Sequence, residues 1–164
     1  MKGIYALEGG VAGAAAITLI HEAVKKIVPN APRLDLLGMN ALAKGMRAVG
    51  ANTPSERKLY GLSLTGDLLS NAIFYSFAGI GKKENALLKG AVLGLVAGIG
   101  AVLLPQPLGL NSKYSSRTIE MKLVTIGLYV AGGLFAAVVM KLLDRKKKKR
   151  TDLWEQRLMT SSMA

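Results

Sequence analysis

One apolar run constrains this chain more than any other: residues 59–81, LYGLSLTGDLLSNAIFYSFAGIG, with Asp67 and Asn71 near its middle. It exceeds the roughly twenty residues that an α-helix needs to cross a hydrocarbon core. An ionisable side chain at that depth is expensive and marks a candidate functional site. Three further apolar blocks share this pattern, and charged or proline-containing segments separate them. Most blocks lack the polar stripe of a soluble amphipathic helix. Hydrophobic residues make up 51% of the 164, and mean hydropathy is +0.33.

The expected fold is therefore all-α and integral to the membrane. Four transmembrane helices over residues 4–28, 57–81, 86–104 and 119–143 would form one glycine-rich bundle within residues 1–143. An interfacial amphipathic helix over 33–49 and a basic tail over 144–164 complete it. Nineteen glycines against five prolines fit such a bundle, since glycine lets apolar helices approach closely. With no cysteine present, disulfides, thiol catalysis and thiolate metal sites are excluded.

In the first block only residues 9–20 are free of charge, so a span must take in Glu8 or the His21-Glu22 pair. Glu8 lies where a signal peptide should be neutral, and HEAVKK offers no small-residue cleavage site. The segment reads as an uncleaved first span, with Gly9, Gly13 and Ala16 as a close-packing face. Pro29 and Pro32 end it. In the following RLDLLGMNALAKGMRAV, Arg33, Asn40, Lys44 and Arg47 share one helical face. Met39, Leu42, Ala43, Met46 and Val49 share the other. Such a helix lies along the membrane with Lys44 and Arg47 at the headgroups, or else caps the end of the bundle. Thr53, Pro54 and Glu56 then form the signature of a capping box opening the next helix.

The third block carries Gly90, Gly94 and Gly98 at four-residue spacing, a continuous groove for a neighbour. Lys89 can snorkel back to the interface. The fourth block presents Gly127 and Ala131 among its small residues and runs into Arg145, Lys146, Lys147, Lys148, Lys149 and Arg150. That basic run reads as an anchor on anionic lipid. Asp152 would cap a last short helix placing Trp154 at the interface. VPNAPR and LPQPLG, one after each Gly/Ala-rich block, hint at a parallel repeat.

The net charge of +12 comes mostly from segments flanking the blocks. It reads as topology and contact with anionic headgroups. Nucleic acid is not expected, because no aromatic residues interleave with the cations. Four spans put both termini on one side. Lys25, Lys26, Arg33, Lys44, Arg47, Arg57 and Lys58 oppose a cytoplasmic placement, whereas Lys2, Lys82, Lys83 and the contiguous tail run favour it. The tail decides for cytoplasmic termini in the cell (inner or plasma) membrane.

The candidate site is a polar intramembrane cluster. Ser63, Asp67, Ser70 and Asn71 share a face of one helix, and Thr18, His21, Glu22 and Lys25 share a face of another. If these helices pack together, the groups hydrogen-bond across the bundle. Such contacts average only about 0.6 kcal/mol and would specify packing more than stabilise it. The alternative is a proton or cation path through Asp67, relayed by His21 or Glu22. An enzyme is not expected. HEAVK lacks the second histidine of H-E-x-x-H, and no phosphate-binding loop is present, so neither metal nor cofactor is implied. The function expected is a non-enzymatic packing, scaffold or accessory-subunit role beside a second copy or another membrane protein. The alternative is a small proton- or cation-coupled transporter.

Overall fold

The computed structural model describes residues 3–81 and 83–161, with side-chain surroundings for 3–81 and 84–146. Among the described residues the structure is helical and contains no strand. The order is α1 (Gly3–Ile27), α2 (Leu34–Ala48), α3 (Glu56–Ser76), α4 (Ala86–Leu103), the single turn α5 (Lys113–Ser116) and α6 (Ile119–Ser161). Short 3-10 turns at Phe77–Gly79 and Lys83–Asn85 join α3 to α4.

Three helices are long and apolar enough to cross a membrane: α1, α4, and residues Ile119–Lys146 of α6. By that measure α3, the expected second span, does not qualify. The helix starts at Glu56 and takes in Arg57, Lys58 and Asp67, then stops at Ser76. The apolar residues 77–81 fall beyond it, in the 3-10 turn and the bend that follows. No side chain caps α3, whose N-cap is Ser55. The expected Thr53 cap fails because the helix begins at Glu56, two residues later than Pro54.

The helix through the fourth block does not stop near Met140. It runs unbroken for 43 residues to Ser161, or roughly 65 Å at 1.5 Å per residue. No glycine or proline occurs after Gly133, and Leu, Lys, Arg and Glu all favour helix, so nothing separates a tail helix from the span. The side chains of Asp152 and Trp154 lie outside the described residues.

Helix α6 is the centre of the packing. On one side Gly9 and Gly13 of α1 meet Met140, Ala136 and Gly132. On the other, Gly90, Gly94 and Gly98 of α4 meet Gly133, Val130 and Ile126. A Cβ at Gly94 would lie 2.6 Å from the Val130 Cα, and one at Gly98 2.7 Å from the Ile126 Cα. These backbones touch. Gly127, by contrast, faces open space.

Helix α3 lies on α1, where Gly10 abuts Ala72 and Ser76. Tyr75 is fully buried with Ile17, Ala78, Leu128, Ala136 and Met140. Its hydroxyl donates to the Tyr129 carbonyl at 2.9 Å. Helix α2 packs Met39 and Ala43 against Leu59 of α3. Its polar face turns to the loop after α4: Asn40 Oδ1 accepts from the Asn111 N–H at 2.9 Å. The Lys44 ammonium, expected at the headgroups, donates to the carbonyls of Leu108 at 2.6 Å and Gly109 at 3.2 Å.

Gly94→Val should lower unfolding stability by at least about 1–3 kcal/mol, because only backbone stands in the way of the new side chain. Gly127→Ala should leave it unchanged or raise it by up to about 1 kcal/mol, the helix-propensity gain. Unfolding of both variants in mixed detergent micelles checks the contrast.

Candidate functional site

The polar residues singled out from the sequence meet where α1, α2 and α3 converge. After α1 ends, the turn over residues 28–33, with Asn30 at φ 58°, folds back and buries Pro32. His21 is only 6% exposed. Its Nε2 lies 2.9 Å from the Pro32 carbonyl and 3.3 Å from the Leu34 backbone N. One ring nitrogen cannot donate and accept at once. The shorter contact assigns the proton to Nε2, donating to Pro32. His21 thus fastens the turn that aims α2.

A charged chain secures the same junction. Lys25 pairs with Glu22 and, at 3.1 Å, with Asp35. Arg33 grips the same carboxylate through Nε and Nη2, each at 3.0 Å. Asp35 sits in the first turn of α2, where the helix dipole favours a carboxylate. Burial pushes its pKa upward. Hydrogen bonds from Arg33, Lys25 and the Leu36 backbone more than offset this and bring it down to about 2. The sequence reading did not single out Asp35. Its signal was an acid two residues after Arg33 and ten after Lys25, and only the fold-back of the turn makes that spacing a contact.

A cavity of about 40 Å³ is lined by Thr18, His21, Glu22, Asp35, Ser63 and Asp67, among others. That is room for a water or two. Helix α1 thus contributes three of the expected residues and α3 two. Ser70 and Asn71 do not line it. Hydrogen bonds of these side chains run along their own helices. Asn71 donates to Asp67 Oδ1 at 3.0 Å, Ser70 to the Asp67 carbonyl at 3.1 Å, and Thr18 to the Ala14 carbonyl at 3.0 Å. Asn71 is buried, whereas Asp67 and Ser70 are exposed. Among the described residues Asp67 is also the one charged residue lining a wider groove of about 460 Å³, whose walls include Leu34, Phe74, Val96, Leu104 and Tyr129. Asp67 therefore lines both the small cavity and the larger groove.

Among the described residues no three metal-ligating side chains converge. Of the expected headgroup cations, Arg47, Arg145 and Lys146 are exposed. The side chains of Lys147, Lys148, Lys149 and Arg150 lie outside the described residues. Ala131 is half-buried on α6. Comparison with family models, curated proteins and solved structures gives no match to this chain.

The unfolded chain protonates Asp35 near pH 4, whereas the folded chain keeps it ionised to about pH 2. The junction therefore contributes stability above about pH 4 and loses it as pH falls toward 2. Asp35→Asn should unfold at a lower temperature than the parent at neutral pH, with the gap closing between those two values. A gap independent of pH in thermal melts would show that the carboxylate's charge contributes nothing.

Proposed function

We propose that this chain is a four-span membrane bundle with a non-enzymatic, accessory role, and that α3 is both its fourth span and its docking face. Support for the fourth span comes from α3 running antiparallel to α1. Gly10 meets Ala72, and a Cβ on Gly79 would fall beside Ala6. A helix that shadows a spanning helix to its far end crosses the same depth.

Support for the docking face comes from what the bundle leaves uncovered. Gly9 and Gly13 of α1 and Gly90, Gly94 and Gly98 of α4 are occupied by α6 and are not free for a partner. On α3, Leu62, Gly66, Leu69 and Ile73 follow at offsets of 4, 7 and 11, one stripe of a helix. The three large residues are 53%, 60% and 57% exposed, and Gly66 has no neighbour that a Cβ would meet. Thr65, Asp67 and Ser70 are exposed beside them. A helix this polar is disfavoured against acyl chains. Small and polar residues are what membrane helices present to one another. The single observation carrying the proposal is this open polar flank on a long helix that falls short of the three apolar enough to cross a membrane.

Gly66→Leu adds bulk where the isolated chain has space, so its thermal midpoint should hold. Co-isolation of two differently tagged copies, or of a co-purifying membrane protein, should fall by about tenfold, as an overpacked contact predicts. Parent chain recovered alone from mild detergent would overturn the proposal.

The position of Asp67 on the walls of both cavities supports transport as a second reading. Under that reading Asp67→Asn should abolish pH-dependent cation flux in liposomes without changing stability. Unchanged flux would remove it.

A further inference from the structure

Four cations converge on a cavity that neither the α3 face nor the Asp67 cluster uses. At the end of the bundle where α1 stops and α6 begins, a cavity of about 620 Å³ is lined by Lys25, Arg33, Lys113, Arg117, Asn111 and Tyr114, together with Val28 and Met121. The last turn of α1, the fold-back turn, the segment around α5 and the start of α6 build it. They are tied together, since the Arg33 N–H donates to the Tyr114 carbonyl at 2.7 Å and the Lys113 N–H to Asn111 Oδ1 at 3.2 Å.

The charges in this cup do not cancel. Lys25 and Arg33 are matched by Glu22 and Asp35, neither of which lines the cavity. Lys113 and Arg117 meet no carboxylate among the described residues. They stand four residues apart, a spacing at which like charges on a helix repel. Two positive charges are thus left facing one cavity, with a tyrosine and an asparagine beside them.

We propose that this cup binds the phosphate of an anionic phospholipid. A guanidinium that can grip two phosphate oxygens and an ammonium acting as a point charge are the usual partners of that group. The source is lipid and not a soluble phosphate because of where the cup lies. It opens at the end of two helices that are apolar enough to cross the membrane. Val28 is part of its wall, and the adjoining Ile27 is 78% exposed, an apolar surface for the glycerol and first methylenes. Neither cation was among those expected from the sequence at the headgroups. The site also stands apart from the docking face on α3.

The test is native mass spectrometry of the full chain in detergent, titrated with phosphatidylglycerol, phosphatidylcholine or inorganic phosphate. The parent should retain phosphatidylglycerol in preference to phosphatidylcholine. Lys113→Gln with Arg117→Gln should weaken that retention roughly thirtyfold, about fivefold for each cation near the surface. Arg145→Gln with Lys146→Gln should leave the tightest retained lipid in place. Lys113→Arg with Arg117→Lys keeps both charges and should preserve binding, which guards against a misfolded double variant. Gly66→Leu should also retain the lipid, so failure of the docking face leaves this result standing. Inorganic phosphate displacing the lipid at comparable concentration would overturn the lipid assignment. Retention unaffected by the glutamine pair, or lost only with Arg145 and Lys146, would overturn the site.

Discussion

The structure depends on backbone meeting backbone along α6. In a bilayer no hydrophobic gain draws helices together, because acyl chains are as apolar as leucine, so association rests on close packing. Adjacent glycines at 132 and 133 let α6 receive neighbours on two sides at one level. Gly133 takes the α4 backbone at Gly90 and Gly94, while Gly132 takes Ile17 of α1 and the ring of Tyr75. The Tyr75 hydroxyl then donates to Tyr129 one turn away. A tyrosine with an unsatisfied hydroxyl would be costly there, and a larger residue at 132 would have no place for the ring. Four helices are fixed in register by one layer.

Given that layer, the polar groups divide into two kinds. His21, Lys25, Arg33 and Asp35 bind elements to each other at the end of the bundle. There, loss of one partner would strand a half-buried charge. Asp67, Ser70 and Thr18 instead bond within their own helices. Such bonds, three or four residues apart on one helix, satisfy donors without positioning anything else. The first group explains why α2 starts beside His21 at the end of α1 and lays its apolar face on α3. The second leaves Asp67 available to whatever enters the cavities around it.

Legibility in the sequence follows the same division. Glycine spacing at 90, 94 and 98 needs only local periodicity to be read, and the structure sets those residues against one helix. The apolar blocks likewise announce helices. Helix ends were less legible. Residues 77–81 are as apolar as a span, yet they leave the helix for a 3-10 turn and a bend; the basic run looks like a boundary, yet contains no breaker. At the site, the sequence could place Thr18, His21, Glu22, Ser63 and Asp67 on two faces, because face membership is a matter of spacing. It could not find Asp35 or the pairing of the turn with Tyr114, because both arise from a chain reversal at Pro29 and Pro32. Nothing in one sequence fixes the direction in which such a reversal leaves.

The contrast between α6 and α3 bears on where activity resides. The span of α6 is apolar, small where neighbours touch, and free of proline. Its small residues are committed to α1 and α4, and much of the rest of its span, including Leu123, Phe135 and Leu142, is exposed apolar surface. Helix α3 breaks several rules, with three charged residues in its first turn, a carboxylate in its middle, an uncovered glycine and no side-chain cap. Places where local preference and global fold disagree tend to be functional, because the disagreement is kept at a cost in stability. The α1–α6–α4 layer supplies a rigid support against which one poorly suited helix can be held. A bundle built only from helices like α6 would be more stable and would present nothing to a partner but lipid-like surface.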